Sequence, residues 1–401
     1  MRRVRPRSIE VARTTTPSWV QTGSPLLTFI VLGLPAGAIG VAWPYTRASL
    51  GAPLAGLGLV LAVLTLAYFL ASASSGPLTA RLGTPALLIG GCACSSIGLL
   101  GVALATQWWM IPVAGFAAGA GSGLIDASVN AHVSLNRGIR YMGWLHASWA
   151  VGAALGPQVV LASLNLTHSW RAAFGAMSAA YLATGAIAGA RWRDWAPAVG
   201  QSTAATHGTG AAPAAYRRMM LILAALFLVA AGLEATAGDW SYTQLTIGRS
   251  LTAFGAGWAV SMFWAGLAAG RIVLGTLGDR ATPTRILDVS VGLAVVAATA
   301  FWLGPPQIAA FVALPILGIA VSVLFPLLLS ITPARVGSAM TAHAVGYQLA
   351  AGTVGGGGLP AITGVVLQAI GVLALGPLLL LMAVAMALLH TATRLVARRV
   401  S

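Results

Sequence analysis

The sequence predicts an all-α membrane protein of twelve transmembrane helices, built as two pseudo-symmetric six-helix bundles with both termini cytoplasmic. Three observations predict it. Of 401 residues, 58% are hydrophobic and only 7% are charged. A soluble domain carries about 25% charged residues, and so few charges cannot cover a surface that faces water. The apolar residues fall into twelve runs, each near the about 20 residues that a spanning helix needs. The arginines then sort themselves by side of the membrane.

The runs lie at roughly 25–45, 54–76, 85–106, 109–132, 142–165, 171–190, 218–242, 253–276, 285–303, 307–330, 339–367 and 371–392. They do not alternate polar with apolar residues, as the strands of a lipid-facing barrel would. All 22 basic residues are arginine. With an even number of spans the two termini share a side. That side collects Arg2, Arg3, Arg5, Arg7, Arg13, Arg81, Arg137, Arg140, Arg191, Arg193, Arg217, Arg218, Arg280, Arg285, Arg335, Arg394, Arg398 and Arg399, eighteen in all. The other side holds three, Arg47, Arg171 and Arg249, and Arg271 falls inside a helix. An excess of arginine marks the cytoplasmic side, and one helix more or fewer would scramble the pattern. The net charge of +15 is therefore topological. A nucleic-acid partner would need the arginines gathered on one face, and they are dispersed.

The chain divides into a cytoplasmic tail (1–24), a first bundle (25–190), a cytoplasmic linker (191–217), a second bundle (218–392) and a second cytoplasmic tail (393–401). The linker is small, polar and Pro/Gly-bearing, the composition of a flexible connection. A faint repeat supports the division. Gly76-Pro-Leu-Thr-Ala-Arg81 follows the second run and Gly275-Thr-Leu-Gly-Asp-Arg280 the eighth, 199 residues apart. Paired six-helix halves are how many secondary transporters are built. The basic start of the chain imitates a signal peptide, but the apolar stretch behind it is longer than such a segment allows. It reads instead as a tail in contact with anionic lipid heads. Cys92 and Cys94 stand two apart on one helix and face different ways, as small packing residues do. Small residues recur four apart, as at Gly115/Gly119/Gly123, which lets helices approach closely. The run Gly355–Gly358 costs a helix about 1 kcal/mol per glycine and predicts a bend in the eleventh helix.

No HExxH, GxxxxGK[ST] or GxSxG pattern occurs, so neither an enzyme nor a metal or cofactor is expected. The informative residues are ionisable ones inside the spans. Each costs about 2.5–3.5 kcal/mol to insert and is a functional candidate for that reason. Asp126 lies about six residues, ~9 Å, from the cytoplasmic end of the fourth helix. Asn130 follows one turn later on the same face. His146 enters the fifth helix at a similar depth, so Asp126 and His146 are expected to meet. A carboxyl and an imidazole so placed serve proton coupling, or else form a static bond between helices. Glu234, beyond the midplane of the seventh helix, is a second proton-coupling candidate. Asp239, near its outer end, is a substrate contact or gate. Trp240 and Tyr242 beside it read as interfacial anchors. Trp43, Trp149, Trp264, His343, Tyr347 and Gln348, with Asn130 and Asp239, are candidate substrate-binding residues. Aromatic faces suit sugar rings and flat organic cations alike. Arg271, eight residues before Asp279, reads as an ion-pair partner near the inner end of its helix.

The loop Gly275-x-Leu-x-Asp279-Arg280-x-x-x-x-Arg285 resembles the signature of the major facilitator superfamily. That resemblance implies the major facilitator fold and gives Asp279, Arg280 and Arg285, with Arg81 in the first-half copy, the part of a cytoplasmic conformational lock. Ala80 replaces the aspartate in the first copy. A second stretch narrows the match. Gly123-Leu-Ile-Asp126-Ala-Ser-Val-Asn130-Ala-His132, followed by Gly143-Trp-Leu-His146-Ala-Ser-Trp149-Ala-Val-Gly152 and Gly156-Pro157, resembles the fucose permease branch of sugar–proton symporters. Glu234, Asp239-Trp240-Ser241 and Phe325-Pro326 agree with it. The resemblance implies that Asp126 is the proton-bearing acid. It also places an acid four residues before Pro44, where this chain has Gly40, so fucose itself is not the expected substrate. Two functions follow: proton-coupled import of a small, sugar-like polar metabolite, or export of amphipathic drugs or secondary metabolites by proton antiport. Both are alternating-access secondary transport. The expected partners are a small-molecule substrate, protons and the lipid bilayer, for a monomer that crosses a bacterial-type cytoplasmic (inner) membrane many times.

Overall fold

The computed structural model describes residues 19–137, 139–195, 214–277 and 282–400. Among these, twelve helices are long and apolar enough to cross a membrane. They are α1 Gly23–Leu50, α2 Gly56–Leu82, α3 Thr84–Leu104, α4 Met110–Asn136, α5 Tyr141–Thr167, α6 Arg171–Ala190, α7 Arg217–Gly248, α8 Ala253–Thr276, α9 Pro283–Leu303, α10 Pro306–Val336, α11 His343–Ile370 and α12 Val372–Val396. The expected runs coincide with them, and most differences are at the ends. Helices α1, α7 and α10 continue past the point where hydropathy fades. An interfacial residue keeps its helical hydrogen bond even when its side chain is no longer apolar. The boundary between α11 and α12, hidden in a nearly continuous apolar stretch, falls at Gly371. Its φ of 98° is open to glycine and strained for other residues.

Helices α1–α6 pack among themselves, as do α7–α12, and the two bundles meet along α1 with α7, α2 with α11 and α5 with α8. The end carrying the segment between α6 and α7 is the linker end, and the opposite one the far end. In lipid no hydrophobic force draws helices together, so close contact depends on small side chains. At the α1/α5 crossing a Cβ on Gly33, Gly37 or Gly152 would run into the carbonyl of Trp149, Ala153 or Ile30 respectively. The glycine run Gly355–Gly358 does not interrupt the helix. Helix α11 is unbroken there, and Gly355 and Gly357 instead admit the Leu228 carbonyl of α7 and the Thr65 side chain of α2.

Two of the far-end arginines have a structural task. Arg171 donates to the carbonyls of Ala103 (2.9 Å) and Ala105, at the C-terminus of α3. Arg249 donates to Gly304 (2.8 Å) and Trp302 (2.7 Å), at the C-terminus of α9. The last carbonyls of a helix lack partners and carry its negative pole. The third helix of each bundle is thus capped in the same way. Arg249→Ala is expected to cost about 1–2 kcal/mol. It would be read as a lowered unfolding temperature in detergent, with Arg249→Lys recovering only part because it lacks the fork geometry.

Candidate functional site

The bundles touch at the far end. Tyr45 and Tyr242 share a hydrogen bond of 2.7 Å between α1 and α7. The Ala55 amide donates to Gln368 Oε1 at 2.8 Å. Gln158 of α5 donates to Ser261 of α8 at 2.9 Å, and Ser261 donates to the Ala154 carbonyl at 2.7 Å. Toward the linker end α11 parts from α2. Gly357 and Ala361 of α11 lie against Thr65 and Gly58 of α2. Residues 343, 346 and 350 continue that same face of α11 at helical spacing, yet they are exposed. The bundles are therefore joined at the far end, this face of α11 lies open at the linker end, and the cleft between the bundles is bridged by α5 and α8.

Asp126 lies on α4 where that helix packs on α2. Glycines 119 and 123 let α4 settle on the carbonyls of Leu64 and Tyr68 in α2. One turn on, Tyr68 Oη donates to Asp126 Oδ2 at 2.7 Å. Asn130 Nδ2 donates to Asp126 Oδ1 at 3.0 Å. The expected meeting of Asp126 with His146 is absent among the described residues. Helix α4 presents Asp126 to α2, and the His146 ring is surrounded by the rings of Phe29 and Phe325, at 5.9 and 6.5 Å between centroids.

The charged centre of the cleft is Arg271. Its Nη2 stands 3.6 Å from Glu234 Oε1 of α7. Its other nitrogens point to the carbonyls of Ser322 and His146, both at 3.4 Å, and its guanidinium lies 5.9 Å from the Trp149 ring centre. Glu234 and Ser322 belong to the second bundle, His146 and Trp149 to the first. Arg271 is thus an ion-pair partner, as the sequence predicts, but of Glu234 deep in the cleft. Trp149 also meets Trp264 edge-on across the bundle interface, 5.5 Å between centroids.

The remaining candidates are scattered. Trp43 is buried and donates to the Leu54 carbonyl at 3.1 Å, which occupies it in packing. Gln348 is buried with its Oε1 accepting from Thr332 at 2.9 Å, away from the cleft. His343 is exposed, as is Tyr347 at 60%. Asp239 is 7% exposed and lies on α7 where its backbone touches Gly40 of α1. Trp240 and Tyr242 are not interfacial anchors. Both are fully buried, Trp240 donating to the Pro360 carbonyl at 2.9 Å and Tyr242 bound to Tyr45. Arg81 and Arg285 are exposed at the linker end. Asp279 and Arg280 lie outside the described residues. Sequence reasoning missed Tyr68, Phe29, Gln158 and Ser261. Tyr68 and Gln158 carried a signal, a polar tip amid an apolar run; Phe29 and Ser261 carried none. It also missed Asp288, which binds His390 (2.7 Å) and Arg394 (2.8 Å) and ties α9 to α12.

The comparisons agree with this architecture. No protein of curated function matches the sequence. The nucleoside transporter NupG is similar in structure, with a TM-score of 0.74 at 15% identity, over 94% of this chain and 99% of that one. A bacterial homologue of the human lysosomal transporter Spinster, inward-facing and occupied, gives 0.69 at 17% identity, over 95% and 96%. The E. coli fucose:proton symporter FucP gives 0.61 at 15%, over 94% and 98%. At such identities the likeness is one of fold. The sequence profile of the Major Facilitator Superfamily matches residues 26–360. The chain is a multi-pass membrane transporter and belongs to the Major Facilitator Superfamily.

Proposed function

We propose that this transporter carries a small polar metabolite with a ring face, sugar or nucleoside in kind, together with a proton, by alternating access across a bacterial-type cytoplasmic membrane. The linker end is its cytoplasmic side, on the strength of the eighteen arginines there. The observation that carries the reading is Arg271, held between Glu234 in its own bundle and the His146 carbonyl and Trp149 ring in the other. A proton on Glu234 removes the countercharge and frees the guanidinium for substrate or for the opposite bundle. A titratable group then acts on the contact that must change when the bundles rock. Asp126 is the second proton carrier, on the first bundle. Trp149 and Trp264 offer the ring faces, and Asn130 on α4 is the hydrogen-bonding candidate. Arg81 and Arg285, with Asp279 and Arg280, are assigned to closing the linker end. The protein works as a monomer.

In proteoliposomes, Asp126→Asn and Glu234→Gln are each expected to keep downhill flux while losing accumulation driven by a pH gradient. Full accumulation by both variants would remove the proton from these sites. A second reading, proton-driven export of amphipathic compounds, is favoured by the aromatic surroundings of His146, since Phe29 and Phe325 offer it no polar group. A thermal-shift comparison of monosaccharides and nucleosides with lipophilic cations separates the two. A ligand at 100 times its Kd adds about 2.7 kcal/mol, and stabilisation by lipophilic cations alone decides for export.

A further inference from the structure

Arg271 is held more loosely than the arginines that brace the rest of the fold. Arg171, Arg249 and Arg335 donate to the carbonyls of Ala103, Gly304 and Thr393 at 2.9, 2.8 and 2.8 Å. Arg394 meets the Asp288 carboxylate at 2.8 Å. These are the lengths of formed charge-assisted bonds. Arg271 makes none of them among the described residues. Its Nε and Nη1 point to the Ser322 and His146 carbonyls at 3.4 Å each. Glu234 Oε1 stands 3.6 Å from its Nη2, beyond hydrogen-bond length. A guanidinium carries five N–H donors in a rigid fork, and a cation inside a span is costly when its donors are poorly met. Helices α5, α7, α8 and α10 thus frame Arg271 more widely than an arginine–carboxylate pair needs. The frame is not sealed. Arg271 and Glu234 keep 13% and 19% of their side-chain surface accessible, and Phe325 beside His146 is exposed.

We propose that Arg271 is an anion subsite and that the substrate is a ring-bearing monocarboxylate, a sugar acid or a heterocyclic acid, whose carboxylate takes the guanidinium fork. The fork matches a carboxylate with two parallel hydrogen bonds. The ring finds its surface next to it. The Trp149 ring centre lies 5.9 Å from the guanidinium and 5.5 Å from that of Trp264, so an acid group and a ring one or two bonds apart reach Arg271 and an indole together. Charge limits the ligand to one negative charge. Glu234 is the one carboxylate paired with Arg271 among the described residues, and His146 is the other titratable residue in contact with it. A proton on Glu234 leaves a single positive charge at the guanidinium, which a monoanion balances and a dianion exceeds. Without that proton Glu234 occupies the arginine and repels a second carboxylate. Proton and anion therefore bind together, each strengthening the other. The coupling rests on the proton-linked transport reading; the anion subsite itself does not.

The test is a thermal-shift titration of the purified full-length protein in detergent, at fixed pH and ionic strength, with matched ligands: glucuronate and glucose, galacturonate and galactose, orotate and uracil. At least one acid is expected to raise the unfolding temperature saturably, its neutral counterpart binding about tenfold more weakly or less. Arg271→Lys, which keeps the charge without the fork, is expected to weaken the acid about tenfold, and Arg271→Gln to abolish its effect. The lysine variant keeps the test decisive if Arg271→Gln does not fold. In proteoliposomes a proton moving with a monoanion carries no net charge, so accumulation of the acid is expected to follow the pH gradient and to ignore the membrane potential. A proton moving with a neutral molecule would gain about fiftyfold in limiting accumulation from about 100 mV. The proposal is overturned if no acid of the three stabilises, if each acid and its neutral counterpart act equally, or if the effect of an acid is unchanged in both Arg271 variants. Neutral ligands that accumulate with the pH gradient while the acids are inert would refute the anion subsite and leave the proton reading. An acid that binds through Arg271 yet accumulates under no pH gradient would refute the proton reading and leave the subsite.

Discussion

Arg271→Ala is expected to abolish concentrative transport and to be the most damaging single change in the cleft. Arg271 is the one cation paired with Glu234 among the described residues, and the two side chains are only 13% and 19% exposed. Removing one member of a buried pair leaves the other charge uncompensated, a loss of about 3–5 kcal/mol. The pair is long at 3.6 Å and Glu234 can take up a proton, which places the loss at the lower end of that range. The double variant Glu234→Gln/Arg271→Ala removes both charges together. It is expected to recover most of the stability and none of the pH-driven accumulation. Unfolding temperatures of the two single variants and the double variant measure the coupling. If the double variant is as unstable as Arg271→Ala, the contacts with Ser322, His146 and Trp149, and not the ion pair, hold the arginine in place.

Gly152→Val is expected to prevent assembly of the first bundle. Any Cβ at 152 collides with the Ile30 carbonyl, and Gly156 meets Leu34 one turn on. The obstruction is backbone, which cannot rotate aside as a side chain can. Overpacking a core usually costs about 1–3 kcal/mol. Here two helices must separate along a crossing that also relies on Gly33 and Gly37, so the upper end of that range or more is expected. The measurement is the yield of monodisperse protein on size exclusion, with its unfolding temperature. Gly90→Ala and Gly175→Ala are the controls. Nothing lies within 4 Å of a Cβ at either position, and alanine is the better helix former by about 1 kcal/mol. Both are expected to fold as well as the parent or better. Wild-type yield and stability for Gly152→Val would mean that α1 and α5 do not approach as described.

Much of the architecture was already written in the order of residues. Twelve apolar runs become twelve helices because a bilayer offers no partner for an unpaired backbone group, so each span must satisfy its own. Arginine on one side of that count marked which loops lie together. Asp126, Glu234, Asp239 and Arg271 stood out for a similar reason, since an ionisable group within a span is costly wherever it sits. Spacing along one helix also set Asn130 on the face of Asp126, because residues four apart share a face, and the two are hydrogen-bonded. Which helix that face would meet was another matter. Asp126 turned to Tyr68 on α2 and not to His146 on α5, because Gly119 and Gly123 draw α4 onto α2. Glu234 found Arg271 on the neighbouring α8. Gly40, which read as a missing acid in α1, proved to be the gap that receives Asp239 from α7. Trp240 and Tyr242 looked like anchors in the interface and became buried contacts at the bundle seam. In each case one helix carries half of the contact, and its partner is chosen by how closely backbones can approach. Lipid tails are as apolar as the helix surfaces, so hydropathy cannot say which surfaces meet. That choice lies in the placement of small residues on both partners at once, and only the assembled tertiary structure brings the two together.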